Sequence, residues 1–124
     1  MANYITIDPT RVYQINNQVC KPVFFGTDYA VGNNQLVVTA VTGQRIKVLF
    51  VSAQSPGAVG FVKFKSASGG TVLSSTMGAP TAGGSYQLGV CDCGYFETIT
   101  GEGLYVDVTT NAVGVQIVYI TYTP

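Results

Sequence analysis

The strongest constraint on this chain lies between Gly94 and Thr123, where Tyr95–Thr100, Gly103–Thr109 and Val113–Thr123 follow one another as β-rich runs separated by turn residues. Val, Ile, Thr, Tyr and Phe dominate them because branched or flat side chains fit a pleated, half-buried surface, while Gly101 and Gly103 supply backbone freedom for reversal. No helical period competes with this pattern. The segment is expected to fold as consecutive strands, and the rest of the chain must supply their neighbours.

From Gln35 onward the same pattern recurs in Leu36–Val41, Arg45–Ala53, Val59–Ser66, Thr71–Ser75 and Ser85–Val90, which with the closing runs makes eight strands. Short strands bounded by turn residues favour a sandwich or a barrel, and eight antiparallel strands in two sheets is the jelly-roll number. The expected fold is all-β, an eight-stranded antiparallel jelly-roll sandwich with an extended N-terminal arm. Alternation assigns Ile46, Val48 and Phe50, Val62 and Phe64, Leu104, Val106 and Val108, and Val115, Ile117 and Tyr119 to the core. The length of 124 residues suits one such core and no second.

Residues 1–33 lack sustained alternation and are punctuated by Pro9, Asn16, Asn17, Pro22, Gly26, Gly32 and Asn33. They are expected to form the arm, with short strands at Tyr4–Ile7, Arg11–Ile15 and Val23–Phe25, leaving 34–124 as the sandwich domain. Tyr4, Ile5, Ile7 and Tyr13 are too apolar for a free tail, which makes them candidate contacts to a partner. At the other end, Val118, Ile120 and Tyr122 make the last strand apolar on its second face too. Such a strand is covered either by the arm or by a neighbouring subunit, and the oligomer is the economical reading. The small-residue loop Ser74–Ser85 reads as an exposed connection or as a surface that orders on a partner.

Only 10% of residues are charged, against about 25% in an average soluble domain. Six basic and six acidic residues cancel, so no long-range field draws the chain to nucleic acid or to an anionic membrane. Arg45, Lys47, Lys63 and Lys65 would form a basic stripe only if their two strands were neighbours. The chain has no His, which removes the usual general base and the commonest metal ligand. Asp92, Glu97, Glu102 and Asp107 fall close together in sequence, and their simplest reading is solvated charges paired with Lys or Arg. Catalysis by a carboxylate pair, or a calcium site using Asp92 and Glu97, is the sharper alternative. Cys20, Cys91 and Cys93 are expected as reduced, packed thiols; a bridge from Cys20, a metal site and an intermolecular link stay open. No enzyme, cofactor or small-molecule substrate is expected.

Thr42-Gly-Gln-Arg-Ile-Lys-Val-Leu49, Gly60-Phe-Val-Lys-Phe-Lys-Ser66, Gly94-Tyr-Phe-Glu-Thr98 with Gly101-Glu-Gly-Leu-Tyr-Val106, and the terminal Val115-Gln-Ile-Val-Tyr-Ile-Thr-Tyr122 resemble the small jelly-roll proteins of tailed bacteriophages. Among these the chain looks most like head decoration, or cement, proteins over residues 42–123. The resemblance implies a homotrimer on the outer surface of the virion capsid, its arm or base touching the major capsid protein, with no catalytic residues. The N-terminus carries no charged leader ahead of an apolar run, so assembly in the host cytoplasm is expected. The alternative is a receptor- or carbohydrate-binding module of a tail or fibre, which would stack sugar rings on Tyr86, Tyr95 or Tyr105, aromatics that otherwise pack across strands.

Overall fold

The computed structural model describes residues 13–78 and 84–124. Its first strands are β1 Tyr13–Ile15, β2 Gln18–Cys20, β3 Val23–Tyr29, β4 Gly32–Val38, β5 Arg45–Gln54 and β6 Phe61–Ser66. They are followed by β7 Thr71–Val72, β8 Met77–Gly78, β9 Ser85–Leu88, β10 Phe96–Glu97, β11 Leu104–Thr109 and β12 Val113–Tyr122. Among the described residues there is no helix, and all pairings are antiparallel.

Two sheets form a β-sandwich. One runs β3–β12–β5, with β9 and β10 sharing the far edge of β5; the other runs β4–β11–β6, with β7 and β8 sharing the far edge of β6. Period-two alternation aims Ile46, Val48, Val51, Val115 and Ile117 of the first sheet at Val62, Phe64, Leu104, Val106 and Val108 of the second, and all join one buried cluster. Burying a side chain of this size contributes about 1.5–3 kcal/mol, so this cluster dominates the stability of the fold. Met77, in the loop expected to have no core of its own, is buried in it as well. Residues 79–83 of that loop lie outside the described residues.

Phe50 departs from the alternation. Along β5 and β12, Val118 stands opposite Phe50 and Tyr119 opposite Val48, leaving Leu49 as an extra residue. An extra residue inverts the phase of the strand. Val51 and Ala53 therefore reach the core beyond the bulge and Val48 and Ile46 before it, while Phe50, expected among them, is buried outside that cluster. Opposite the bulge the partner strand is also interrupted. The expected strands Ser85–Val90 and Tyr95–Thr100 appear as β9 and β10 on a single edge of β5, separated by an excursion that carries Cys91, Asp92 and Cys93.

Of the expected arm, residues 13–33 are described. Tyr4, Ile5 and Ile7 lie outside the described residues. Tyr13–Cys20 forms a hairpin, and β3 pairs with β12 from Tyr29↔Val113 to Val23↔Tyr119. From Val23 onward the chain is therefore sheet, and β4 begins at Gly32, earlier than the Leu36 expected from alternation.

Candidate functional site

The outer face of the β3–β12–β5 sheet is divided in two. Over one half lies the β1–β2 hairpin, turned by Asn16 and Asn17, whose φ angles of 52° and 63° are the left-handed pair that a two-residue hairpin turn requires. Tyr13, Ile15 and Cys20 pack there onto Leu49, Ile120 and Tyr122. Polar contacts fasten the hairpin: the Gln18 amide donates to the Thr123 carbonyl at 2.6 Å and accepts from the Thr123 N–H at 2.8 Å. The Tyr13 hydroxyl donates to Asp92 Oδ1 at 3.2 Å, tying the hairpin to the excursion opposite the bulge.

Two sets of expected contact residues lie in or beside this covered region. Val118, Ile120 and Tyr122, read as an oligomer interface, are already buried within one chain, with Ile120 fully inaccessible. Tyr13, read as a contact to a partner, is 7% exposed and belongs to the same covered cluster. The chain supplies the cover itself, so the apolar second face of β12 no longer requires a neighbouring subunit.

The four carboxylates each have their own local partner. Glu97 pairs with Arg45 at 3.2 Å and accepts the Tyr122 hydroxyl. Glu102 accepts from the buried Ser66 hydroxyl at 2.7 Å, and Asp92 accepts from Tyr13. Asp107 pairs with Lys65 at 2.7 Å and accepts the Asn34 N–H at 2.8 Å. Partial burial alone would raise the Asp107 pKa, but the hydrogen bonds from Lys65 and Asn34 and the charges of Lys65 and Lys63 hold it below the usual value. Tyr122 is pushed the other way, first by burial and then by its bond to Glu97. Among the described residues no three ligating side chains gather as a metal would need.

Other expected constellations are dispersed by topology. Arg45 and Lys47 lie on β5 and Lys63 and Lys65 on β6, strands of different sheets, so no basic stripe forms. Lys47 instead lies over the Tyr122 ring, 5.3 Å from its centroid. Tyr86 packs against the core, Tyr95 donates to the Gly89 carbonyl at 2.6 Å, and Tyr105 belongs to the other sheet, so the three make no common platform. The cysteines are free thiols: Cys20 buried under the hairpin, Cys91 half-buried, Cys93 exposed.

What the described residues leave uncovered is the β3 side of the molecule. Among the described residues β3 is an edge strand, hydrogen-bonded only to β12, and it leads directly into β4, the edge strand of the second sheet. Phe24 is 63% exposed, with Val23 beside it and Val19 of the hairpin also exposed; Val31 and Leu36 extend the exposed apolar residues toward β4. A regular, unpaired edge with exposed apolar residues is a template for association. Its sequence signal was the run Val23-Phe24-Phe25, read only as a short strand of an arm. No family model and no curated protein matches this chain.

Proposed function

We propose that this chain is a structural virion protein, a head decoration or cement protein of a tailed bacteriophage that binds the outer capsid surface and stabilises the shell. The observation that carries the reading is the strand order. Counting β7 with β8 and β9 with β10 as interrupted single strands, successive strands from β3 to β12 fill two four-stranded sheets in the orders β3–β12–β5–β9/β10 and β4–β11–β6–β7/β8. This order supports reading the fold as an eight-stranded jelly roll, the fold implied by the resemblance of residues 42–123 to small phage proteins.

The β3–β4 side supports the oligomeric half of the proposal. Copies of the chain join there as a homotrimer, with Val23 and Leu36 buried between them, and the trimer contacts the major capsid protein. Low charge suits a protein whose work is to bury surface, because association through a large complementary area needs no special chemistry.

The test combines light scattering with incubation of the protein with undecorated heads of the phage that encodes it. A trimer at about micromolar concentration, saturable binding across the head and a higher temperature of head disruption are expected. A monomer that ignores heads, or a few copies confined to the tail tip, overturns the proposal.

A further inference from the structure

The half of the outer face of the β3–β12–β5 sheet that no described residue covers holds a polar trough of about 340 Å³, lined by Gly26, Asp28, Ser52, Gln54, Gly114 and Gln116 among others. The register builds it. Asp28, Gly114 and Gln54 form one row across three strands, and Gly26, Gln116 and Ser52 form the next. The glycines sit diagonally, and each leaves room that a side chain would take: a Cβ on Gly114 would stand 2.9 Å from Asp28 Oδ1, and one on Gly26 would stand 3.1 Å from Gln116 Cγ. Along β3, two residues from Gly26 and on the same face, stands the exposed ring of Phe24.

We propose that this trough binds a neutral saccharide. Among the described residues, Asp28, Ser52, Gln54 and Gln116 make no side-chain hydrogen bond or ion pair with the protein. Some such groups elsewhere are paired, as at Asp107, Gln18 and Ser66. A carboxylate accepts, amides both donate and accept, and a hydroxyl does both, which matches the vicinal hydroxyls of a sugar. Phe24 offers an apolar flat for the C–H face of a ring. Among the described residues no Lys or Arg lines the trough and the one charge there is negative, so phosphate, sulfate and acidic sugars are disfavoured. The volume lies near the roughly 300 Å³ lower bound of small-molecule sites, enough for one or two sugar units.

This site differs from the tyrosines suggested by sequence, and the inference holds for a shell-bound protein as well as for a tail-bound one. The test is saturation-transfer NMR and calorimetric titration of the full chain with maltotriose, cellotriose, lactose and N,N′-diacetylchitobiose, followed by a neutral glycan array. Sialyllactose and inorganic phosphate serve as anionic controls. At least one neutral saccharide is expected to bind, with affinity reduced about tenfold or more by Asp28→Ala and by Gly114→Ala. Both substitutions are expected to leave the thermal midpoint nearly unchanged, because the atom that Gly114→Ala displaces is the tip of a mobile side chain. Absence of any neutral ligand up to about 10 mM, equal binding by both variants, or preference for the anions overturns the proposal.

Discussion

The two halves of one sheet face make opposite use of the same three strands. Under the hairpin, β12 and β5 present Ile120, Tyr122 and Leu49, all buried; beyond it they present Gln116, Gly114, Ser52 and Gln54, and the face is open. Backbone pairing continues through both halves, so hydrogen-bonded sheet does not distinguish them. Side-chain composition matches the cover present. The apolar half has its lid in the same chain, while the polar half has hydrogen-bonding groups to offer a ligand.

The largest expected effect comes from giving each half the other's character. Ile120→Lys should destabilise the protein by about 4 kcal/mol or more, because a charge would be buried without a partner. Gln116→Lys, two periods of the alternation away, should change stability by less than about 0.5 kcal/mol. Urea titrations of both variants check the pair; similar losses would mean that the halves are not energetically distinct.

A second test uses pH. Burial pushes the Tyr29 phenol up to about 12 from an ordinary value of 10.0, so the folded state favours the neutral form. The unfolded chain therefore loses this proton first, and the stability tied to it, intact below pH about 10, is lost as pH rises toward 12. Asp107 acts at the acid end: its folded pKa is lowered, so its contribution is present above the unfolded value and is lost as pH falls through the folded one. Thermal midpoints against pH should fall at both ends. Tyr29→Phe should flatten the alkaline limb, although it also loses the bond to the Leu36 carbonyl, about 1 kcal/mol.

The lid itself is probed by its thiol. A thiol reagent should modify the exposed Cys93 first and Cys20 last, and Cys20 should react at the rate at which the hairpin opens. Gln18→Ala, which releases Thr123, should speed Cys20 modification severalfold while barely affecting Cys93. Equal rates for the two thiols would mean that the lid does not stay closed. The smallest effect on stability is expected from Phe24→Ser, within about 0.5 kcal/mol, yet it should weaken saccharide binding.

Legibility in the sequence follows burial. β5, β6, β11 and β12 were readable because one or both of their faces are core, and period-two alternation records that. β3 was obscured because its side chains are mostly exposed and its apolar run Val23-Phe24-Phe25 does not alternate. The hairpin had a signal in Asn16-Asn17 between two short β-prone triplets, a dipeptide that tolerates positive φ. The phase change at Leu49 had none, since a bulge depends on which strand lies opposite. The trough was equally hidden: Gly26, Gln116 and Ser52 become neighbours only through pairing across three strands.

The central position of β12 also bears on how the protein is made. Translation delivers this strand after both of the strands it must join, and among the described residues β3 has no other partner in the sheet. A nascent chain that has emerged only as far as β11 therefore carries β3 and β5 with a gap between them. The first sheet closes only once Val113–Tyr122 has left the ribosome, so this domain completes folding after synthesis of β12 and not progressively during it. Premature termination ahead of Val113 would yield sticky, unpaired strands for proteolysis, with no smaller working version of the fold.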